Sequence, residues 1–266
     1  MNRRHFVIGA LAAGALRLPR STANAQTAPS AAASAKILVF DVFGTVVDWR
    51  SSVIAPGQAL GRAKGVTVDW TAFADEWRGA YQPALDRVRR GERPWMKLDD
   101  LHRASLEDLL VRYKVTGLTE AEKLDFNRAW HRLKAWPDSV AGLTRLKKKF
   151  VIATLSNGNV SLLTNMAKQA DLPWDTILSA EIVRRYKPDR ETYLLPAELW
   201  DVTPGEVMMV AAHDMDLQAA QALGLKTAYV HRPLEFGPAN VPTFPPAGRY
   251  DIQVRDFLEL ASQLGA

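Results

Sequence analysis

The stretch from residue 36 to residue 49 constrains the fold of this chain more than any other. Its apolar run, Ile37 to Phe40, ends in Asp41, and Thr45 follows four residues later. An unbroken apolar run of this kind is typical of a strand buried in a parallel sheet. Open α/β sheets place their chemistry at the carboxyl ends of such strands, so we expect Asp41 at a functional crevice. Position 43 is Phe, which indicates a nucleophilic aspartate without a second acid two residues away.

The second half of the chain alternates strand and helix patterns. Strands are predicted over 150–155, 207–212 and 227–230, and helices over 139–148, 160–170, 190–200, 216–223 and 257–264. Alternating units of this length predict an α/β fold class with a Rossmann-like, doubly wound parallel sheet. Residues 233–247 are rich in Pro and Gly and are expected to form a surface loop.

Residues 53–137 separate the first strand from the others and show helical periodicity with little strand character. The pattern predicts one helical face from Trp77, Tyr81, Leu85 and Val88 with a kink at Pro83, a second helix from Leu101, Leu106, Leu109 and Leu110, and a third from Leu124, Trp130 and Leu133. Such an insertion is expected to lie as a helical cap over the carboxyl edge of the sheet. The predicted catalytic core therefore comprises residues 36–52 and 138–266.

Residues 1–25 have the features of an export signal. A twin-arginine start, a ten-residue apolar stretch and a small-x-small cleavage pattern follow one another, at Arg3-Arg4, Val7–Leu16 and Ala23-Asn24-Ala25. A membrane anchor would need about twenty apolar residues, and Arg17 ends the run too early. We therefore predict a twin-arginine signal peptide, a flexible leader over 26–35, and a mature chain exported to the periplasm without a stable membrane anchor.

The charge of the chain gives little support for nucleic-acid binding. Lys and Arg number 34 against 29 Asp and Glu, but Arg3, Arg4, Arg17 and Arg20 lie in residues 1–25, which have no acidic residue. The remainder is close to charge balance and lacks the basic footprint of a nucleic-acid-binding protein. The chain has no cysteine, which excludes disulfides, thiolate catalysis and zinc–thiolate sites.

Polar residues of four segments are expected to meet at the carboxyl edge of the sheet. They are Asp41 with Thr45, Ser156 with Asn157, Lys187, and Asp216. Each has an ordinary explanation by itself, since Asp, Ser and Asn favour turns and caps and a lysine before proline is commonly solvated. Their order and spacing together indicate a catalytic crevice.

With these residues in this order, the chain resembles the haloacid dehalogenase superfamily over residues 36–232. The first motif of that superfamily, Asp-x-x-x-Thr, is matched by Asp41 and Thr45, and the other three are matched by Ser156, Lys187 and the acidic cluster around Asp216. The resemblance implies a Rossmann-like core with a helical cap inserted after the first motif, in agreement with the division above.

Two chemistries compete within that superfamily. Phosphatase members carry a second Asp two residues after the nucleophile and a Gly-Asp pair that helps to hold Mg²⁺; here Phe43 and Ala211-Ala212 stand at those places. Phosphoryl transfer needs a metal and a protonated leaving group, whereas a halide leaves without a proton. The chain therefore resembles the (S)-2-haloacid dehalogenase branch, which also has Leu-Ser-Asn-Gly-Asn, Tyr-Lys-Pro-Asp and a following Tyr, here 155–159, 186–189 and Tyr193.

The resemblance implies two-step nucleophilic catalysis on a small 2-haloacid, without a metal or another cofactor. Asp41 attacks C2 and expels halide with inversion, and water then hydrolyses the ester to a 2-hydroxy acid. Lys187 would keep Asp41 ionised, Ser156 and Thr45 would orient it, and Asp216 would position or deprotonate the water and balance Lys187. The implied substrate-binding residues are Val42, Phe43, Asn157, Arg78, His213 and Tyr193.

Several positions leave alternatives open. The better-known dehalogenases have Ser and Asn where this chain has Ala211 and His213. His213 either binds the substrate carboxylate, assists hydrolysis, donates to a departing fluoride or simply packs at a strand end. The superfamily uses a cap arginine to bind carboxylate or halide. Arg78 is favoured over Arg87 for this role, with a merely solvated arginine as the alternative, and Trp95 is a candidate for the pocket wall or the core.

Two other functions compete with dehalogenation. A phosphatase of the same superfamily is disfavoured by Phe43. A non-catalytic carboxylate-binding protein of the same fold has no evident reason to keep Asp41, Lys187 and Asp216 together. The resemblance also implies a homodimer.

Overall fold

The computed structural model describes residues 35–266, and a six-stranded sheet runs through this part of the chain. The strands are β1 (Ile37–Phe40), β2 (Val47–Asp48), β3 (Lys134–Ala135), β4 (Val151–Ser156), β5 (Thr176–Ser179), β6 (Val207–Ala211), β7 (Lys226–Val230) and β8 (Ile252–Val254). The sheet has the order β5-β4-β1-β6-β7-β8, and its neighbouring strands are parallel. Because β1 is central, Asp41 lies in the middle of the carboxyl edge.

Helices fill the connections between the strands. They are α1 (Trp49–Lys64), α2 (Trp70–Gly79), α3 (Tyr81–Arg89), α4 (Leu98–Arg112), α5 (Glu120–Asn127), α6 (Ser139–Lys147), α7 (Val160–Gln169), α8 (Ala180–Val183), α9 (Arg190–Leu199), α10 (Asp214–Ala222) and α11 (Phe257–Gln263), with 3-10 helices at Arg128–Arg132 and Pro204–Glu206. The α/β fold class is thus confirmed. Within residues 35–266, no helix combines the length and the apolar character needed to cross a membrane.

The central strand β1 is buried on both faces of the sheet. All four of its residues are buried, between β4 on one side and β6 on the other. Alternate side chains of a strand point to opposite faces, and accordingly Leu38 and Phe40 lie in one core cluster while Ile37 and Val39 lie in another. This two-sided burial explains why the sequence of the strand is continuously apolar.

The chain between β2 and β3 is helical. It comprises α1 to α5 and the 3-10 helix Arg128–Arg132, and β2 pairs with β3 in an antiparallel two-stranded sheet where the insertion begins and ends. α1 runs across the predicted boundary at residue 52. The division of the chain into a core and a cap stays a prediction.

The kink predicted at Pro83 is a break between two helices. α2 ends at Gly79 and α3 begins at Tyr81. Proline has no N–H, and its ring collides with the carbonyl group four residues earlier, which here belongs to Gly79. The chain therefore ends one helix and begins another with Pro83 in its first turn. Trp77 and Leu85 are fully buried, in agreement with the predicted helical face.

Short elements account for the differences from the predicted secondary structure. The strands β5 and β8, which were not predicted, have four and three residues, too few for a period-2 pattern to stand out. The third predicted helix of the insertion ends early, because α5 ends at Asn127 and the chain continues as a 3-10 helix through Trp130. The predicted signal peptide, and the leader apart from its last residue, lie outside the described residues.

Candidate active site

Asp41 lies directly after β1, and its largely buried carboxylate is surrounded by donors. Oδ2 accepts a hydrogen bond from Thr45 Oγ1 at 2.8 Å and lies 3.1 Å from Nδ1 of His213. Oδ1 lies 3.5 Å from Nζ of Lys187. Burial raises the pKa of this carboxyl group, but the charge of Lys187 and the hydrogen bonds from His213 and Thr45 outweigh burial and hold the pKa well below its usual range. Asp41 is therefore ionised.

The turn after β1 directs Thr45 toward Asp41. Thr45 Oγ1 accepts a hydrogen bond from the Ala212 N–H at 2.9 Å, so the hydroxyl hydrogen is available to Asp41. Gly44 has a φ of +84°, and a Cβ built there would lie 2.1 Å from Oε1 of Glu235. Glycine adopts this left-handed conformation without strain. The order Asp-x-x-Gly-Thr thus has a structural cause.

Lys187 joins two carboxylates. Its Nζ lies 2.7 Å from Oδ2 of Asp216 and 3.5 Å from Oδ1 of Asp41. The Tyr193 hydroxyl donates to the other oxygen of Asp216. Burial raises the pKa of Asp216, and although Lys187 acts against this rise, the nearby charge of Asp41 adds to it. The backbone N–H of Lys187 donates to Oδ1 of Asn157 at 2.8 Å, which ties the loop before α9 to the end of β4.

Glu235 is a member of the site that the sequence did not reveal. It is 1% exposed, its carboxylate oxygens lie 2.9 and 3.1 Å from Nε2 of His213, and Trp49 Nε1 donates to it at 3.2 Å. Burial by itself would lower the pKa of His213, but Glu235 and Asp41 outweigh burial and raise that pKa to about 10. Residues 233–247 were predicted as a surface loop, and Glu235 is an inward-facing exception.

A cavity of about 640 Å³ opens over these residues, with Asp41, Phe43, Arg78 and His213 in its wall. Nε of Arg78 is buried and has no hydrogen-bond partner among residues 35–266. The guanidinium carbon lies 4.4 Å from the ring centre of Tyr81. An arginine held in this way, without a carboxylate partner in the described chain, is a ready donor for an anionic ligand.

Most of the predicted site residues meet at this cavity, and their roles remain predictions. Asn157 and Tyr193 also lie in its wall, beside Lys187 and Asp216. The Nδ2 group of Asn157 donates to the Tyr81 hydroxyl at 2.8 Å, and burial raises the pKa of Tyr81 to about 12.

Two predicted site residues do not occupy the expected places. Ser156 is buried, and its hydroxyl accepts a hydrogen bond from the Gly158 N–H at 3.2 Å; no hydrogen bond links it to Asp41 within residues 35–266, because the turn after β4 folds back on Ser156. The side chain of Val42 is 1% exposed and lies in the apolar core. It lies outside the cavity wall because the chain turns inward after Asp41.

The other candidates of the insertion also lie away from the cavity. Arg87 has a half-exposed side chain and lies 3.7 Å from Glu92. Trp95 packs on Tyr186, with ring centres 4.5 Å apart, so its place is in the core rather than in the pocket wall. Of the two arginines considered, Arg78 is the one in the cavity wall.

The acidic groups of the site belong to ion pairs. Within residues 35–266, no group of three or more His, Cys, Asp or Glu side chains is arranged to hold a metal ion. Asp41 and Asp216 share Lys187, and Glu235 is paired with His213. This arrangement suits a reaction in which a carboxylate attacks and protein cations stabilise the negative charge.

Comparison with known proteins places this geometry in a family. A family model of haloacid dehalogenase-like hydrolases matches residues 35–224. The chain is 30% identical over 205 residues to (S)-2-haloacid dehalogenase 1 of Pseudomonas sp. (strain CBS-3). This alignment covers 73% of this chain and 83% of that protein.

Solved structures give the same result. A defluorinating L-2-haloacid dehalogenase is 44% identical, with a TM-score of 0.85 over 90% of this chain and 98% of that one. Another L-2-haloacid dehalogenase is 47% identical, with a TM-score of 0.83 over 87% of this chain and 99% of that one. The chain belongs to the family of haloacid dehalogenase-like hydrolases.

Proposed function

We propose that this protein hydrolyses the carbon–halogen bond of short 2-haloalkanoic acids, such as haloacetate and (S)-2-halopropionate, and releases 2-hydroxy acids. One observation carries the proposal: an ionised Asp41 faces a cavity that also holds Arg78, which has no carboxylate partner among residues 35–266, while Phe43 stands where a phosphatase has its second acid. The names of the relatives, (S)- and L-2-haloacid dehalogenases, support the same substrate class.

The first step is displacement of halide by Asp41. An oxygen of the carboxylate attacks C2 from the side opposite the halogen, the new O–C2 bond forms as the carbon–halogen bond breaks, and halide leaves with the electron pair. Lys187 keeps Asp41 ionised in its buried position. Arg78 holds the substrate carboxylate, because a guanidinium binds a carboxylate with charge-assisted hydrogen bonds.

The second step is hydrolysis of the ester formed on Asp41. Water adds to the ester carbonyl carbon, the tetrahedral intermediate expels the 2-hydroxy acid, and the carboxylate of Asp41 is restored. The hydroxyl oxygen of the 2-hydroxy acid therefore comes from Asp41, and an oxygen of water enters the carboxylate of Asp41.

The pocket wall argues against phosphoryl transfer. Phe43 is 5% exposed, and its ring packs against Trp130 with centres 6.1 Å apart. No carboxylic acid therefore lies at this position to protonate a departing alkoxide, which a phosphate ester needs and a haloacid does not.

The test is halide release from chloroacetate and from each enantiomer of 2-chloropropionate, with EDTA present. We expect release selective for the (S)-enantiomer. Asp41→Asn should lower the rate at least about a thousandfold, because it removes the nucleophile. Asp108→Asn is the control, since Asp108 is exposed. Release unaffected by Asp41→Asn would sink the proposal. Mg²⁺-dependent turnover of p-nitrophenyl phosphate would favour the phosphatase, and binding of haloacids without an ester on Asp41 would favour a carboxylate-binding protein.

Export through residues 1–25 is part of the proposal. A twin-arginine pathway carries folded proteins, and the twin Arg3-Arg4 precedes an apolar stretch and a cleavage pattern. Replacing both arginines by lysine should retain the chain in the cytoplasm, while Arg17→Lys should leave export intact. The exported product should begin near Gln26 by mass spectrometry. An intact chain in the periplasm, or equal export of the twin-lysine variant, would contradict this prediction.

A homodimer, which the family resemblance implies, is proposed as the assembly in solution. Sedimentation equilibrium at micromolar concentration distinguishes it from a monomer.

A further inference from the structure

The two oxygens of Asp41 have unequal surroundings. Oδ2 accepts a hydrogen bond from Thr45 Oγ1 at 2.8 Å and lies 3.1 Å from Nδ1 of His213. Among the described residues, Oδ1 has one long contact, with Nζ of Lys187 at 3.5 Å. A lone pair on Oδ1 is therefore the freer one for attack on a substrate. If Oδ1 is alkylated, Oδ2 becomes the carbonyl oxygen of the ester, with its two donors already in place.

His213 faces carboxylates with both of its ring nitrogens. Nδ1 points to Asp41 and Nε2 to Glu235. An ionised carboxylate only accepts hydrogen bonds, so both nitrogens must carry a hydrogen to make these contacts, and the ring is an imidazolium. The raised pKa of His213 agrees with this geometry: burial acts against the charge, but Glu235 and Asp41 outweigh burial.

The charge on His213 does not depend on Asp41 alone. Glu235, from the loop after β7, is buried and is also held by Trp49. On α10, which begins beside His213, Asp214 is paired with Arg249 and Asp216 with Lys187. From α2, Arg78 faces the same cavity. When the ester forms, Asp41 loses its charge, but Glu235 keeps His213 cationic.

We propose that His213 and Thr45 form an oxyanion site for hydrolysis of the ester on Asp41, and that Glu235 is the positioning residue that keeps His213 a cationic donor. The inference rests on the proposed function. It assigns His213 a role different from that of a general base, because a base needs a free lone pair and both ring nitrogens here are donors.

The electron and proton movements balance with the groups present. As the oxygen of water bonds to Cγ of Asp41, the carbonyl electron pair moves to Oδ2, where the N–H of His213 and the O–H of Thr45 stabilise it. When the pair returns, the Cγ–Oδ1 bond breaks and Oδ1 leaves on the product. One proton of the water ends on Oδ1, beside the ammonium group of Lys187, and the second leaves to solvent as the carboxyl group of Asp41 ionises again.

The test separates formation of the ester from its decay. After rapid mixing with (S)-2-chloropropionate, halide is measured as a burst and the esterified protein is followed by intact-mass spectrometry from about pH 5.5 to about pH 9. In wild type, the decay constant should stay high to a higher pH than in Glu235→Gln, since Glu235 raises the pKa of His213. In Glu235→Gln, the pKa of His213 in the ester should fall to its ordinary value of about 6.5 or below it, because burial then acts without either carboxylate. The decay constant should therefore lie roughly a hundredfold below that of wild type at neutral pH and above.

A decay constant that rises with pH through about 6 to 7 in Glu235→Gln would overturn the inference, because a base gains activity on deprotonation. A decay constant equal to that of wild type at every pH would do the same. Glu198→Gln, at an exposed position of α9, is the matched control and should behave as wild type. Absence of halide release by wild type would contradict the proposed function instead. If Glu235→Gln does not fold, His213→Gln serves: the ester should accumulate at every pH, and decay as fast as in wild type would overturn the inference.

Discussion

Arg78 and Arg87 lie on consecutive helices of the insertion, yet their surroundings differ. Nε of Arg78 is buried without a partner among the described residues and faces the cavity. Arg87 is half-exposed and lies near Glu92. A buried donor without an acceptor is costly unless a ligand supplies one, so the unpaired group indicates the place of the substrate carboxylate.

We expect Arg78→Ala to lower kcat/KM for (S)-2-chloropropionate by roughly 10- to 150-fold, because a hydrogen bond to a charged group is worth about 1.5–3 kcal/mol. Arg87→Ala should change kcat/KM by less than about twofold, since exposed ion pairs contribute little. Steady-state kinetics of both variants make the comparison. Equal losses would show that Arg78 has no special role in binding.

Gly44 lets the turn after β1 pack directly against the side chain of Glu235. Gly44→Ala should destabilise the protein by more than the about 1–2 kcal/mol that a left-handed backbone costs, because the new Cβ would displace Glu235. The same change at Gly65 is the matched control: φ is +66°, and no atom lies within 4 Å of its Cβ position. Urea unfolding measures both. Ester decay should be slowed in Gly44→Ala only.

At the scale of secondary-structure elements, α1 and α2 pack through a glycine. A Cβ at Gly57, in the interior of α1, would lie 2.5 Å from Cε3 of Trp70, the first residue of α2. Glycine within a helix costs about 1 kcal/mol relative to alanine. The indole ring of Trp70 lies too close to leave room for a Cβ, which explains why glycine stands at this position.

Gly57→Ala should therefore lower the free energy of unfolding by about 1–3 kcal/mol, because overpacking outweighs the gain in helix propensity. Gly79→Ala, at the end of α2, should raise it by up to about 1 kcal/mol, since no atom lies within 4 Å of its Cβ position. The midpoints of urea denaturation should thus move in opposite directions. A shift of the same sign in both variants would contradict the packing argument.

At the scale of the whole molecule, Arg232 ties together distant parts of the chain. Its guanidinium nitrogens lie 2.7 and 3.0 Å from the oxygens of Asp138, before α6, and its Nε donates to the carbonyl oxygen of Thr45 at 2.7 Å. Asp138 also accepts a hydrogen bond from the Phe257 N–H at 2.8 Å. One buried ion pair thus joins the turn after β1, the start of α6, the loop after β7 and the C-terminal helix.

Asp138→Asn should destabilise the protein by about 3–5 kcal/mol at neutral pH, because it leaves a buried cation unpaired. The double change Asp138→Asn with Arg232→Met should cost less than the sum of the single changes. Urea unfolding at neutral pH gives all three values. Additive single effects would contradict the coupling.

The pH dependence of this effect follows from the Asp138 carboxyl group. Burial raises its pKa, but Arg232 outweighs burial, and the pKa in the folded state lies below the ordinary value of 3.8. The contribution is then complete above that value and is lost as pH falls through the lower folded pKa. The difference in stability between wild type and Asp138→Asn should shrink below about pH 4.

The site residues that lie within sequence motifs could be predicted, because interactions between neighbours in the chain constrain them. Asp41 and Thr45 share one tight turn. Asp216 lies in the first turn of α10, directly after β6, whereas Lys187 lies in the loop before α9 and not at a strand end. Ser156 lies at its predicted strand end, where its hydroxyl accepts a hydrogen bond from the Gly158 N–H, and its role toward Asp41 stays a prediction. β5 and β8 were not predicted, because strands of four and three residues are too short to show a period-2 pattern.

The sequence by itself determined the parallel sheet, the place of Asp41 directly after a buried strand and the absence of a second acid at position 43, because buried strands and their end residues leave a local pattern. Only the tertiary structure decided that Glu235 holds His213 and that Arg78 rather than Arg87 faces the cavity. Those contacts join segments far apart in the chain, and their geometry depends on how loops and helices pack, which no local pattern records.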